Sequence, residues 1–285
     1  MSAGLDARHV RHAFGRAAAT YEAHAVLQAE VGTRLLERLD GTDLSPERVL
    51  DVGSGPGRGA QALRARFPGA SVVALDLALP MLRAAASPTF ARVGGDAQAL
   101  PFADACFDLL HSNLCLQWCD DPGLAIAEFA RVLKPGGLLL FSTFGPATLH
   151  ELRTAFAAAD ATPHVGRFVD MHDIGDALLT TGFRDPVLER DDFTLTYADA
   201  LTLMRELRAI GATNADAKRQ RTLTGKAHLK RVIEAYEPFR ADGVLPATYE
   251  VVYAQAFAPA PGQPRRTPGG EVASFPIERL RGSRR

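Results

Sequence analysis

Between residues 49 and 256, short runs of β-branched and aliphatic residues alternate with stretches whose apolar positions recur every three to four residues. The short runs lie at 49–52 (VLDV), 71–76 (SVVALD), 92–93, 107–112 (FDLLHS) and 138–143 (LLLFST), and they read as strands. The segments 58–67 and 121–133 read as helices, the second stopped by Lys134-Pro135-Gly136-Gly137. Five strands joined through helices imply a parallel, doubly wound α/β sheet. Ahead of them, residues 9–39 carry a helical stripe of Val10, Phe14, Ala17, Ala18 and Tyr21, then Val26, Leu27, Val31, Leu35, Leu36 and Leu39. These helices are placed to lie across a cleft at the strand ends. After residue 143 the pattern gives helices at about 147–160 and 170–181, a strand over 186–197, helices at about 198–210 and 224–238, and a last strand over 248–256.

Composition narrows the function classes. At 285 residues, 47% hydrophobic and 23% charged, the chain suits one globular domain over 1–258 carrying an insertion. A net charge of -1 supplies no global attraction to nucleic acid or membrane, so neither partner is expected and electrostatic recognition must be local. No apolar run approaches the ~18 residues of a membrane span, and Asp6, Arg8, His9 and Arg11 interrupt any signal-peptide core, so a cytoplasmic location is expected. Cys106, Cys115 and Cys119 have no C-x-x-C spacing, which points to reduced thiols and to neither a disulfide framework nor a metal site. Residues 259–285 hold five prolines, four glycines and six arginines against two glutamates, a composition that reads as a disordered basic tail.

The chemistry concentrates at Val49–Gly59, VLDVGSGPGRG, a strand ending on an acid and entering a glycine-rich turn before a helix. Gly53, Gly55 and Gly57 allow close backbone approach to a ligand, and the helix start offers free N–H groups. A dinucleotide fingerprint, G-x-G-x-x-G, would need a glycine at position 58, which is Arg58; the pattern present is D-x-G-x-G-x-G. Asp51, Asp76 and Asp96 fall at three successive strand ends, where open α/β sheets bind ligands. An acid placed like Asp76 can accept both ribose hydroxyls of a nucleoside.

The first motif resembles that of the Rossmann-like S-adenosylmethionine-dependent methyltransferases. With AFGRAAATYEAHAVLQ near the N-terminus, GDAQALPF, SNLCLQWC, RVLKPGG, PHVGRF and LRAIGATN, residues 10–257 look like the malonyl-[acyl-carrier protein] O-methyltransferase family of biotin synthesis. The resemblance implies a seven-stranded, mostly parallel sheet with the last strand antiparallel, lid helices at the N-terminus, and residues 198–245 inserted between the last two strands over the substrate. It implies methyl transfer from S-adenosyl-L-methionine to the free carboxylate of a malonyl thioester. The ester hides a charge that elongating enzymes would otherwise reject. Carried onto this sequence, Asp51, Gly53 and Gly55 would hold the methionine moiety, Asp76 the ribose, and Asp96 with the Ala97 backbone the adenine. Asn113 and Leu114 would line the path to the acceptor, while Tyr21, Phe14 and Arg16 would close over the cofactor. Gln117 and Trp118 would shape the pocket. An already activated methyl donor and an ionised acceptor need no acid–base dyad, and none is expected.

The acceptor's carboxylate calls for a cation, and Arg167, Arg205 and Arg208 are the candidates because a guanidinium offers a bidentate fork. His164 is a weaker one. Residues 218–231, KRQRTLTGKAHLKR, carry Lys218, Arg219, Arg221, Lys226, Lys230 and Arg231 with no acid. That is a candidate docking patch for an acidic acyl-carrier protein bearing malonyl. A monomer is expected. Another small-molecule methyltransferase of the same fold, such as one acting on a quinone ring, is the alternative.

Overall fold

The computed structural model describes residues 4–85, 89–219 and 225–259, together with the backbone of two short strands beyond them. Seven strands form one sheet: β1 (Arg48–Val52), β2 (Ser71–Asp76), β3 (Ala91–Gly94), β4 (Phe107–Asn113), β5 (Leu133–Phe144), β6 (Arg184–Tyr197) and β7 (Leu245–Phe257). Their order is β3-β2-β1-β4-β5-β7-β6. The pairs among β1 to β5 are parallel, whereas β7 runs antiparallel to both β5 and β6. The sheet reverses direction of winding at β1 and β4, which makes their carboxyl ends the place where a crevice opens.

Helices cover both faces. On one face α3 (Val26–Glu37), α4 (Arg58–Arg66), α7 (His150–Ala159), α9 (Ala200–Ala209) and α10 (Lys226–Tyr236) press Val31, Leu35, Leu63, Leu152, Leu203 and Val232 onto Leu109, Leu140 and Tyr253. On the other, α6 (Pro122–Val132) and α8 (Met171–Thr181) contribute Ile126, Phe129, Ile174 and Leu178 against Leu50, Leu110 and Phe141. Two helices show why they start where they do: Asp6 accepts from the His9 amide to cap α1 (Ala7–Ala17), and Asp199 accepts from the Thr202 amide to cap α9. A small third cluster packs Ala17 of α1 on Ala78 and Met81 of α5 (Leu79–Ala84), so the N-terminal segment rests on the rim of the crevice.

That segment is also laced to the stretch after α9. The Asp6 amide donates to the Ala215 carbonyl (2.8 Å), Arg219 pairs with Asp6 (3.0 Å), His9 meets the Thr213 hydroxyl (3.1 Å), and Thr20 donates to the Ala209 carbonyl (2.7 Å). Two parts of the chain some 200 residues apart thus close one lid. The helix before residues 134–137 stops as expected, α6 ending at Val132, but the turn expected there is the irregular start of β5. Its register against β4 slips between Phe107 and Leu109, and the Gly137 position has backbone oxygens of Lys134 and Asp108 within 3.1 Å of where a Cβ would stand. In the stretch read as a disordered tail, Arg265–Thr267 and Gly270–Val272 pair antiparallel; apart from Pro259, the rest of it lies outside the described residues.

Candidate active site

Three cavities meet at the carboxyl ends of β1, β2 and β4, and Tyr21, in α2 (Tyr21–His24), lines all of them. The first, a cleft of about 740 Å³ including its mouth, is bounded by Gly53, Gly55, Asp76, Asp96 and Ala97 from the strand ends and by Phe14 and Met81 from the helices above. Asp76 is fixed by two backbone donors, Gly55 N–H to Oδ2 (2.9 Å) and Ala78 N–H to Oδ1 (2.7 Å). Burial pushes its pKa up to about 6, against the lowering effect of those two amides and with a further raise from Asp51. Each carboxylate oxygen keeps a second lone pair for a ligand hydroxyl. Asp96 accepts from the Gln98 amide at Oδ1 (2.9 Å).

The glycine turn is built for contact. Gly53 has φ +69°, and a Cβ there would stand 2.5 Å from the Cys115 side chain. Gly55 has φ +56°, and a Cβ would meet only the Tyr21 ring, at 3.8 Å, so the backbone there faces open space.

Asp51 does not line this cleft. It lines the third cavity, under α3, with Ser54, His111 and Gln28. Its Oδ1 is 2.8 Å from His111 Nδ1, both side chains are shut from solvent, and Asp51 Oδ2, Ser54 Oγ and His111 Nε2 have no hydrogen-bond partner among the described residues.

The second cavity lies beneath α7 and α9. It is lined by Leu114, Gln117 and Trp118, by His164, Val165, Gly166, Arg167 and Phe168, and by Ile210, Ala212, Thr213 and Asn214. Three sequence segments that are far apart in the chain, SNLCLQW, PHVGRF and LRAIGATN, therefore form one mostly apolar chamber. The wall it shares with the first cleft consists of Phe14, Tyr21, Leu114 and Trp118, and the Phe14 and Trp118 rings meet edge to face with centroids 5.1 Å apart. Leu114 takes φ +49°, unusual for a branched side chain. Its N–H is anchored to the Ser142 carbonyl and hydroxyl, each at 3.1 Å. The Ser142 hydroxyl donates in turn to Asn113 Oδ1 (2.7 Å), and Asn113 Nδ2 donates to the Gln28 carbonyl of α3 (2.9 Å). Asn113 is a brace between sheet and lid, with an edge on both the first and third cavities.

The arginine candidates separate. Arg167 lines the second cavity, whereas Arg205 and Arg208 lie on the exposed face of α9, because Leu203 and Leu207 turn the opposite face inward. Arg16 is also exposed and lines none of the three cavities. On α1 the face formed by Ala7, Val10, Arg11 and Phe14 looks into the cleft, so Arg11 occupies the place expected of Arg16. The i, i+3, i+4, i+7 spacing of those four positions carried that information. His164 is bound into a cluster: its Nε2 is 3.0 Å from the Asp160 carboxylate, His228 Nε2 is 3.5 Å from the same group, and Phe156 stacks on its ring at 4.2 Å. Of the basic patch, Lys218, Lys226, Lys230 and Arg231 are exposed, Arg219 is tied to Asp6 and largely covered, and Arg221 lies outside the described residues. The three cysteines are free, with Cys119 buried.

Residues 50–141 match the family model described as a methyltransferase domain. The malonyl-[acyl-carrier protein] O-methyltransferase of Xylella fastidiosa (strain M23) is 50% identical over 98% of this chain and 97% of its own length. The chain belongs to that family. The relative of the same name from Gallionella capsiferriformans (strain ES-2) is 47% identical, with 90% of this chain and 92% of its own covered. Among solved structures the YcgJ protein of Bacillus subtilis superposes with a TM-score of 0.55 at 19% identity, covering 80% of this chain and 98% of its own. The Haemonchus contortus phosphoethanolamine N-methyltransferase 2 complexed with phosphomonomethylethanolamine and S-adenosylhomocysteine gives 0.51 at 20% identity, over 80% of this chain and 52% of its own. At such identities the structures confirm the fold, and the family comes from the close relatives. A malonyl-[acyl-carrier protein] O-methyltransferase needs one site for a methyl donor and one for an acyl acceptor. The structure has two chambers, which share the four side chains Phe14, Tyr21, Leu114 and Trp118.

Proposed function

We propose that the protein transfers a methyl group from S-adenosyl-L-methionine to the free carboxylate of malonyl carried on an acyl-carrier protein. The observation that carries the reading is the shared wall of Phe14, Tyr21, Leu114 and Trp118 between a cleft edged by Asp76 and Asp96 and an apolar chamber that includes Arg167. The residues fit the donor. Asp76 offers spare acceptor capacity for a ribose, Asp96 and Ala97 lie at the next strand end for an adenine, and the unpaired buried Asp51 Oδ2 suits an ammonium group.

When bound, S-adenosylmethionine supplies a methyl carbon made electrophilic by a positively charged sulfur. The chain's own part is to hold, orient and keep water out. Arg167 binds the acceptor's carboxylate oxygens in the second cavity, and a malonyl carboxylate, which like ordinary carboxyls in water titrates at roughly pH 4, is ionised near neutrality without a general base. Tyr21 stands at the junction of all three cavities. Its phenol is held protonated by burial, reinforced by the charge of Asp76 and by Cys115, so it is a hydrogen-bond donor at working pH. Alignment of this kind is worth up to ~7–11 kcal/mol of a barrier in favourable cases. Because opposite charges cancel during the transfer, the closed apolar surroundings of Leu114, Trp118 and Phe144 favour it.

The carrier docks on the exposed cations Lys218, Lys226, Lys230 and Arg231. What supports this is position: His228 of α10 and His164 of the chamber wall share the Asp160 carboxylate, so the patch lies one helix from the acceptor chamber. Steady-state turnover with malonyl and acetyl carriers tests the reading. The malonyl form should be methylated and the acetyl form, lacking a second carboxylate, should neither react nor compete strongly; equal competition by both would remove carboxylate recognition from the account.

A further inference from the structure

Seven buried side-chain polar atoms have no hydrogen-bond partner among the described residues, and three of them, Asp51 Oδ2, Ser54 Oγ and His111 Nε2, line a single cavity. Leaving a polar group both buried and unpaired costs of the order of a hydrogen bond or more. Three together mark a place made for something polar. That cavity opens beside the donor cleft and shares Tyr21, Gly53 and Asn113 with it. Asp76 and Asp96 sit at the far strand ends, β2 and β3, so a nucleoside lying there leaves its other end pointing to β1 and β4, where these atoms wait.

The pair is set by the sheet itself. Asp51 and His111 are opposite each other in the β1–β4 register, and their side chains meet at 2.8 Å through Oδ1 and Nδ1. An ionised Asp51 can only accept, so His111 donates from Nδ1. Asp51 Oδ2 is thereby left as an unpartnered acceptor in the cavity, with the Ser54 hydroxyl nearby. Gly59 closes the other side: a Cβ there would stand 2.9 Å from Asp51 Oδ2 and 3.0 Å from His111 Cε1. A side chain at that position would push the pair out of place.

From this arrangement we infer that His111 is a positioning residue, which locks Asp51 through Nδ1 so that Asp51 Oδ2 is held facing the cavity as the acceptor for the α-ammonium group of the methyl donor. The inference rests on the donor reading given above. No proton changes place and no covalent bond is made in this step; the ammonium exchanges water for Asp51 Oδ2.

The test is calorimetric titration of the full-length protein with S-adenosylhomocysteine and with methylthioadenosine, which has the nucleoside and sulfur but no amino-acid end. His111→Phe keeps a ring but removes the Nδ1 bond to Asp51, and His111→Asn retains a donor toward Asp51. For His111→Phe the affinity for S-adenosylhomocysteine should fall by about 10-fold or more, the scale of one charge-assisted bond. Methylthioadenosine should bind within about two-fold of the parent, and His111→Asn should recover most of the loss. Equal weakening of both ligands, or no weakening of either, would overturn the inference. Should His111→Phe not fold, His111→Asn and His111→Gln replace it, because only the first can donate from the Nδ1 position; equal affinities in those two would also overturn it. A parent protein that binds neither ligand would sink the donor reading itself, a result distinct from failure of the His111 role.

Discussion

Replacing Asp76 by asparagine should leave the empty protein about as stable as the parent at pH 7.5 and less stable than the parent at lower pH, while making it a poorer binder of its donor. The carboxyl's pKa rises from 3.8 to about 6 because it is buried at the end of β2. That rise corresponds to about 3 kcal/mol held against the folded state once the group is ionised. The sign follows from proton counting. With a folded pKa above the unfolded one, the native state retains a proton that the unfolded chain has released, so stability falls as pH rises from about 4 to about 6, and the full cost stands above that. Asparagine never pays it. Against this gain, the amide can accept from only one of the Gly55 and Ala78 N–H groups, and the other loses its partner at a cost of about 1–3 kcal/mol. The two effects nearly offset at pH 7.5, but only the first depends on pH. Urea unfolding of both proteins without ligand should therefore show the variant's stability, relative to the parent, dropping by about 1.4 kcal/mol between pH 7.5 and pH 5. In parallel, calorimetry with S-adenosylhomocysteine at pH 7.5 should show at least about ten-fold weaker binding, from loss of a charge-assisted acceptor worth about 1.5–3 kcal/mol. A stability difference that does not move with pH would refute the burial argument, and unchanged affinity would take Asp76 out of the donor site.

Three further outcomes follow from the same geometry. Below pH 6 the parent should take up S-adenosylhomocysteine with release of a proton from Asp76, visible as a buffer-dependent binding enthalpy that is lost in Asp76→Asn. Arg167→Met should raise the KM for malonyl carrier by about ten-fold or more, the scale of one charge-assisted pair, while Arg205→Met and Arg208→Met change it less than about two-fold, as measured by initial rates. Charge reversal at Lys226 and Lys230, where Lys230 is 77% exposed, should raise KM for the carrier substrate and flatten its salt dependence, with malonyl coenzyme A unaffected; unaltered salt dependence would leave the patch as solvated surface.

Much of this site could be read along the chain, for identifiable reasons. β2 falls on residues 71–76 as read because a short apolar run with two valines, a glycine before it and an acid at its end leaves little freedom. The same holds for the convergence of Asp76 and Asp96, since strand ends in a parallel sheet share one edge. What escaped depends on which way a side chain turns or which strands lie together. α5 is only six residues long, too short for a periodic signal. Arg11, unlike Arg16, shares the helical face of Ala7, Val10 and Phe14, so its place at the cleft is contained in the spacing. The pairing of Asp51 with His111 needs the β1–β4 register, and no spacing in the sequence contains it. Asp51 itself sits under α3 in the neighbouring cavity, away from the cleft that holds Asp76. Arg219 belongs to the basic run by sequence, but its partner, Asp6, lies 213 residues away along the chain.

The central claim is a methyl ester made on a malonyl carrier. Incubation with methyl-labelled S-adenosylmethionine and malonyl-acyl-carrier protein, followed by mild base, tests it most directly. Label should appear on the carrier's acyl arm and leave as methanol under base, with acetyl carrier and quinone acceptors unlabelled. Label that stays carbon-bound through base treatment, or that reaches a ring acceptor and not the malonyl arm, would contradict it.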